Sequence, residues 1–348
     1  TYKNNIQLNA ERENIKVSKQ DINISKAGYK PSLTLSGSKS LEETNKLTNQ
    51  SGGDATVSDV NPLTTSIKLE HTILDYGRDL SYEKNLVGLD LAKAKLIKKE
   101  QDILHKAIDV FTNLILASEK LEINSKNLNL LIRQVENDKI RRDRGQITNT
   151  DLAQSESSLA GAQAEFVKSK SDLLISKLYY ENIIGKIEDL SSLKKNSNAI
   201  VNIPKTLNEA INLSKKNNPD ITIAKLDLAQ SEKDLAISES DLKPTASVSL
   251  ERSYVDDLSS TVDQKEKDTL KATVSWPFYS GGKKKFTINK NSNLTNRKRL
   301  LLDDVVRTNE TNVASSWSSL ESSKSFLNSV KIQVRAAKIA NEGIAAEY

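Results

Sequence analysis

The residues best suited to specific polar chemistry cluster in one short stretch, RRDRGQITNTDLAQ, residues 141–154. Arg141, Arg142 and Arg144 precede Gly145, and Thr148, Thr150 and Asp151 follow it. Arginines so placed can bind an acidic partner through paired N–H donors, or simply form the solvated basic end of a helix. A hydroxyl or carboxylate three residues ahead of an acid or amide caps a helix start, here as Thr148-x-x-Asp151 or as Asp151-x-x-Gln154. Gly145 supplies the backbone freedom for a reversal between two helices. None of this is covalent chemistry. The chain has no P-loop, GxSxG or HExxH motif, and Gly281-Gly282 followed by three lysines has the wrong spacing for a phosphate loop. With no cysteine there are neither disulfides nor thiolate metal sites. His71 and His105 lie far apart in unlike patterns, which argues against a zinc pair. The expectation is a protein with no cofactor and no enzymatic activity.

The surrounding elements must therefore be read for what they position. The 348 residues contain 5% aromatics, 12 glycines, 6 prolines and 28% charged residues. Such a composition favours long helices with narrow apolar seams over a thick core. A net charge of +5, with no dense basic run interleaved with aromatics, argues against nucleic-acid binding. No run of eighteen apolar residues suggests a transmembrane helix, and the opening TYKNNIQL reads as helix rather than as a signal peptide.

The chain is written twice. The segment from Lys3 aligns without a gap with that from Lys216, matching Ser18 to Ser231, Asp21 to Asp234 and Lys30-Pro31 to Lys243-Pro244, an offset of 213 residues. A second pair, "SIKLEHTILDYGRD" around Gly77 and "KATVSWPFYSGGKK" around Gly282, follows at an offset of about 205. The unit is helix, strand, loop, strand, long helix. In the helix after the turn, Leu152, Leu159, Phe166, Leu173 and Tyr180 recur every seven residues, with Ser155, Ala162, Ser169, Ser176 and Ile183 three positions behind. Large residues alternating with small ones suit knobs-into-holes packing, either in a two-stranded coiled coil or among several antiparallel neighbours. At a rise of about 1.5 Å per residue, a helix over 79–143 would extend roughly 95 Å, one over 151–185 about 50 Å and one over 219–242 about 36 Å. The two shorter ones end to end nearly match the long one, with 186–218 as a lateral insert.

Strands are expected over about 31–40, 64–75, 244–255 and 269–279, joined by polar loops at 39–64 and 256–268. They alternate: Leu33 and Leu35 oppose Ser32, Thr34 and Ser36, and Ala246, Val248 and Leu250 oppose Ser247, Ser249 and Glu251. Such strands fit a half-buried soluble sheet, or a bilayer crossing if tilted. Four strands cannot sit in lipid with open edges, so the second alternative requires several chains to share one barrel.

In order and spacing, these features resemble the TolC family of outer-membrane efflux and secretion channels. The carriers are the duplicated unit, the Lys-Pro strand starts at Pro31 and Pro244, "ILDYGR" and "PFYSGG" at the strand-to-helix exits, "RDRGQITNTDLAQSESSLAGAQ" as a helical tip, and "NNPDI" at the helix restart. The resemblance covers the whole chain, as a first repeat (1–185), an equatorial insert (186–218) and a second repeat (219–348) that stops short of a second tip. It implies a mainly α protein with a transmembrane β part: a long antiparallel α-helical coiled-coil barrel, with four strands per protomer completing a 12-stranded barrel in a homotrimer. It further implies residence in the outer membrane of a Gram-negative bacterium, in contact with its lipid, with the helices in the periplasm. A periplasmic adaptor and an inner-membrane transporter are the implied partners, and solutes or proteins pass outward. Under the resemblance, Arg142, Arg144, Gly145, Thr150, Asp151 and the tip tyrosine Tyr348 form the adaptor contact and gate. Tyr76, Tyr254, Trp276 and Phe278 become membrane-interface aromatics. A soluble envelope coiled-coil scaffold with an accessory sheet is the alternative.

Overall fold

The computed structural model describes residues 2, 5–47, 56–187, 193, 203–259 and 262–347. Its elements are α1 (Ile6–Ala27), β1 (Ser32–Lys39), β2 (Glu42–Leu47), β3 (Thr56–Val60), β4 (Leu63–Leu74), α2 (Tyr76–Asp143), α3 (Asn149–Ile183), α4 (Leu207–Asn217), α5 (Pro219–Ser240), β5 (Thr245–Ser259), β6 (Val262–Ser275) and α6 (Lys283–Glu347). Contacts divide the chain into two units, residues 1–13 with 95–204 and residues 14–94 with 205–348.

The first unit holds the distal part of α2 and all of α3. The two run antiparallel, with Asn124 donating to the Glu165 carbonyl (3.4 Å), the Ser155 hydroxyl to Asp138 (2.6 Å), and Lys139 beside Glu156 (3.5 Å). On α3, Leu152, Ala162 and Ser169 are buried, while Leu159, Phe166, Leu173, Ser176 and Tyr180 are half-buried. On α2 the covered row is Leu114, Leu121, Leu128 and Val135, again every seven residues, with Leu114 fully enclosed. The core is thus a seam one or two side chains thick, in which each fully covered leucine contributes roughly 1.5–3 kcal/mol. α2 carries a second heptad row, Leu116, Ile123 and Leu130, which is at least half exposed. Two positions along a helix rotate about 200°, so this row lies on nearly the opposite face.

In the second unit, α6 packs on α5 and α4, and the strands form a four-stranded antiparallel sheet of order β1-β4-β5-β6. Helix α5 restarts where Asn218 caps it, its side chain accepting from the Asp220 amide (2.7 Å), with Pro219 at the first turn. Sheet register gathers Leu33, Leu69, Leu250 and Leu270 into one row across all four strands. Leu35 and Ile67 lie on the same face in the next row, where β5 and β6 place Arg252 and Asp268. The other face carries Thr34, Lys68, Glu251 and Thr269.

The structure corrects several expected boundaries. The stretch 39–64 is not simply loop, since β2 and β3 pair within it. Nor is 256–268, because β5 and β6 continue to a short connection between Ser259 and Val262. Those extensions are polar on both faces and so lack the alternation that marks a strand. They are held by the backbone ladder and by pairs such as Arg252 with Glu266 (3.1 Å) and Gln264 with Asp256 (3.1 Å). Strand β6 ends at Ser275 rather than near 279, because Pro277 has no N–H for a ladder. Helix α2 begins at Tyr76, where Asp75 accepts from the Gly77 amide (2.9 Å) and caps the turn. Within the expected insert, α4 is helical, and 188–192 and 194–202 lie outside the described residues.

Candidate functional site: the helical turn and the membrane band

At the turn, the last carbonyls of α2 and the first amides of α3 need partners. The Gly145 amide donates to the Arg142 carbonyl (2.9 Å) and the Gln146 amide to that of Arg141 (2.8 Å), with Gly145 at φ +74°. This is the Schellman closure, which requires a residue that tolerates the left-handed region. Ile147 and Leu152 then occupy the two positions of a hydrophobic staple around the cap. Of the two capping alternatives, the structure forms Thr148-x-x-Asp151. The Asp151 amide donates to the Thr148 hydroxyl oxygen (3.1 Å), and Asp151 Oδ2 accepts from the Thr148 amide (2.8 Å) and hydroxyl (2.7 Å). Those hydrogen bonds from Thr148, joined by the nearby Arg141 charge, hold the Asp151 carboxyl below the usual aspartate range.

The other turn residues divide by role. Arg142 pairs with Asp143 (2.7 Å), and Arg141 approaches Asp138 (3.8 Å), the carboxylate already bonded to Ser155. Arg144 and Arg141 line an open groove on α2 together with Lys126, Leu130, Arg133 and Ile140. Thr150 is exposed on the first turn of α3. Tyr348 lies outside the described residues, so the structure brings no tip partner to Thr150 or Asp151. The sequence reading missed Asp138 and Ile147. A carboxylate one turn before the helix end and an isoleucine just ahead of the cap were the available signals.

The sheet carries the second candidate surface. The leucine row and its neighbours Val248, Ala272 and Val274 form an apolar band about 20 Å long on β6, from Leu270 to the position of Trp276, at roughly 3.3 Å per residue. A tilted transmembrane strand takes about 9–11 residues, so this band covers part of one crossing, and β6 extends it past Leu270 through Thr269 and Asp268. Trp276 donates its indole N–H to the Leu242 carbonyl (3.1 Å) and meets Phe278 edge-on, with ring centres 6.3 Å apart. Tyr76 lies under the Lys243 ammonium, 4.6 Å from the ring centre. These three aromatics lie at the helix-side end of the strands. Tyr254 sits towards the other end of β5, opposite Thr65 and Glu266.

At the first strand-to-helix junction the sequence marked Tyr76, but Arg78 and Tyr29 were not foreseen as sites. Arg78 donates to the carbonyls of Thr72 (2.8 Å) and Gly28 (3.3 Å) and covers the Tyr29 ring at 4.3 Å. The Tyr29 phenol donates to Asp79, and chiefly for that reason its pKa is raised above the ordinary tyrosine value. Among the described residues, no cluster of His, Cys, Asp and Glu could hold a metal ion, and no helix is long and apolar enough to cross a membrane.

Comparison with known proteins accords with this geometry. The chain is 23% identical over 352 residues to the outer membrane efflux protein BepC of Brucella suis, covering 99% of this chain and 74% of that one. It is 23% identical over 297 residues to the proteases secretion protein PrtF of Dickeya chrysanthemi, covering 80% of this chain and 62% of that protein, less than two thirds of its length. Among solved structures, the fold matches CusC with a TM-score of 0.75 at 14% identity, covering 91% of this chain and 73% of that chain. It also matches the outer membrane protein VceC of Vibrio cholerae with a TM-score of 0.73 at 13% identity, covering 92% and 77%. The family described as outer membrane efflux protein matches residues 1–186, just over half of the sequence. The chain therefore belongs to the outer membrane efflux protein family, whose members are non-enzymatic transport ducts of the outer membrane.

Proposed function

We propose that this chain is one protomer of a trimeric exit duct, through which solutes or proteins pass outward after delivery by an inner-membrane transporter and a periplasmic adaptor. The observation that carries this reading is the sheet. It presents a continuous apolar row on one face, and β1 and β6 each pair on one side only. Unpaired strand edges are untenable in lipid, and copies joined edge to edge satisfy them. The exposed second row on α2 supports lateral packing of helices between copies in the same way. The test is assembly followed by conductance. A heat-sensitive trimer in detergent that forms channels in a planar bilayer is expected, whereas a monodisperse monomer in plain buffer overturns the reading.

At the helical turn, the proposed gate pairs Thr150 and Asp151 with Tyr348, and the adaptor engages Arg142, Arg144 and the Gly145 turn. Because Asp151 also caps α3, two variants are needed. Thr148→Ala removes the hydroxyl's half of the capping box alone, while Asp151→Ala removes the carboxylate's half and the latch together. Higher resting conductance in Asp151→Ala than in Thr148→Ala supports the latch, and equal conductance in the two assigns Asp151 to capping only.

A further inference from the structure

We propose that the start of α6 is a docking surface for anionic phospholipids of the inner leaflet, formed by Lys283 and Lys285 beside the exposed rings of Trp276, Phe278, Tyr279 and Phe286. The inference rests on the barrel reading above, which puts the helix-side ends of the strands at the periplasmic face.

Four large aromatics lie within eleven residues and are 64–89% exposed: Trp276 64%, Phe286 68%, Tyr279 85% and Phe278 89%. They follow the apolar band of β6 directly, Trp276 standing one residue beyond the strand end at Ser275. Rings at such a level belong where hydrocarbon gives way to headgroups. Three lysines follow immediately. Lys284 has a structural task, its ammonium donating to the Asp241 carbonyl at the end of α5. Lys283 and Lys285 are exposed and form no ion pair among the described residues, and the first turn of α6 contains no acidic residue. They do not serve the helix, because positive charge at an amino-terminal turn opposes the helix dipole.

The first repeat is the internal control. At the same point after β4, the chain reads Tyr76-Gly77-Arg78-Asp79. There the cation is absorbed by the carbonyls of Gly28 and Thr72, and an acid occupies the first turn of α2. Of the two helix starts, only that of α6 thus carries uncompensated charge among the described residues, beside the most exposed rings. Its complement is a phosphate-bearing headgroup held at the depth of those rings. A zwitterionic lipid offers the same hydrocarbon without net charge.

Trp276 provides the test, since it lies in the patch and the other tryptophan, Trp317, lies 34 residues along α6 from Lys283, about 50 Å at the helical rise. The full chain is reconstituted in vesicles of phosphatidylcholine, or of equal parts phosphatidylcholine and phosphatidylglycerol, with one lipid brominated to quench tryptophan on contact. Brominated phosphatidylglycerol is expected to compete for Trp276 on the order of tenfold better than brominated phosphatidylcholine, because two surface lysines each favour an anionic headgroup. The preference should fall towards unity in Lys283→Gln/Lys285→Gln and, for the unmodified chain, in high salt. Trp276→Phe should abolish the quenching. Equal quenching by both lipids in the unmodified chain overturns the inference and leaves the barrel intact. Failure to float with vesicles overturns the barrel reading itself. Flotation with an unquenched Trp276 shows that a second copy, and not lipid, covers the patch.

Discussion

At the first strand-to-helix junction Arg78 donates to the Gly28 carbonyl, and at the second Lys284 donates to that of Asp241, the residue 213 positions after Gly28. Two turns into the long helices the parallel recurs, with Asn85 donating to the Asp21 carbonyl (3.2 Å) and Asn291 to that of Asp234 (3.3 Å). Asp21 and Asp234 are again 213 apart. What the duplication retains is a long polar side chain from the outgoing helix reaching a backbone oxygen of the incoming one. The surroundings differ. Arg78 reaches a second carbonyl and stacks on a tyrosine that is itself bonded to Asp79, whereas Lys284 has one carbonyl, and Trp276 holds the neighbouring Leu242 oxygen. The first junction is closed on itself and the second is left open towards its surroundings.

Substitution at the two cations should separate the junctions most. Arg78→Ala forfeits two charge-assisted bonds and a ring contact, and we expect a loss of about 3 kcal/mol, against about 1 kcal/mol for Lys284→Ala. Thermal unfolding in detergent measures both, and equal losses would mean that the junctions are equivalent after all. A smaller contrast concerns the glycines. Gly282 sits at φ +83° with Phe286 3.1 Å from a would-be Cβ, so Gly282→Ala should cost roughly 1–2 kcal/mol. At Gly77, whose φ is not positive, a Cβ would meet only side-chain atoms, the Ser240 hydroxyl at 3.1 Å and the Asp75 carboxylate at 3.3 Å, which a shift of a few tenths of an ångström relieves. Less than 1 kcal/mol is expected there, and the same melts rank the two.

The shared feature predicts agreement. Loss of the shared bond in Asn85→Ala or Asn291→Ala should cost about 1 kcal/mol, Asn85→Ala forfeiting in addition the bond its amide donates to the Ser25 hydroxyl, and no loss at Asn291 would break the parallel. The smallest effect lies at the turn, which has no counterpart among the described residues. Thr148→Ala should cost about 1 kcal/mol locally, seen as faster amide exchange over 149–152. Asp151 adds a pH dependence. Its folded pKa is depressed, so its stabilisation is present above the unfolded value near 3.9 and is lost as pH falls through the folded one. Amide exchange over 149–152, corrected for its intrinsic rate, should rise below about pH 4 in the unmodified protein and show no such step in Asp151→Asn.

The architecture was legible because its signals are periodic. Sevenfold spacing in α3 and twofold alternation in the inner strands repeat often enough to outvote local exceptions, and Thr148 with Asp151 is a cap readable from residue types alone. The polar halves of β5 and β6 were not legible. Asp263, Gln264, Lys265, Glu266, Lys267 and Asp268 carry no alternation, and their pairing comes from the ladder begun at Thr245 and Ser275. Arg78 was invisible for a different reason. Its partners are carbonyl oxygens, which every residue has, so no spacing of residue types announces them. The cap role of Asp151 was visible, but the proposed contact with Tyr348 joins residues distant in sequence, and such relations are not written locally.

The sheet register also imposes an order of events. The pairing of β4 with β5 joins Leu69 to Leu250, across roughly 180 residues of intervening chain, and the entropy of closing so long a loop must be met before any ladder bond repays it. The α2–α3 reversal, by contrast, closes over a handful of residues through its own amides and one carboxylate. Contacts that are near in sequence form early and distant ones late. The helical hairpin should therefore exist while β4 is still waiting for its partner. Membrane insertion then falls to the last-formed part of the molecule, carried by a chain whose helical end has already folded.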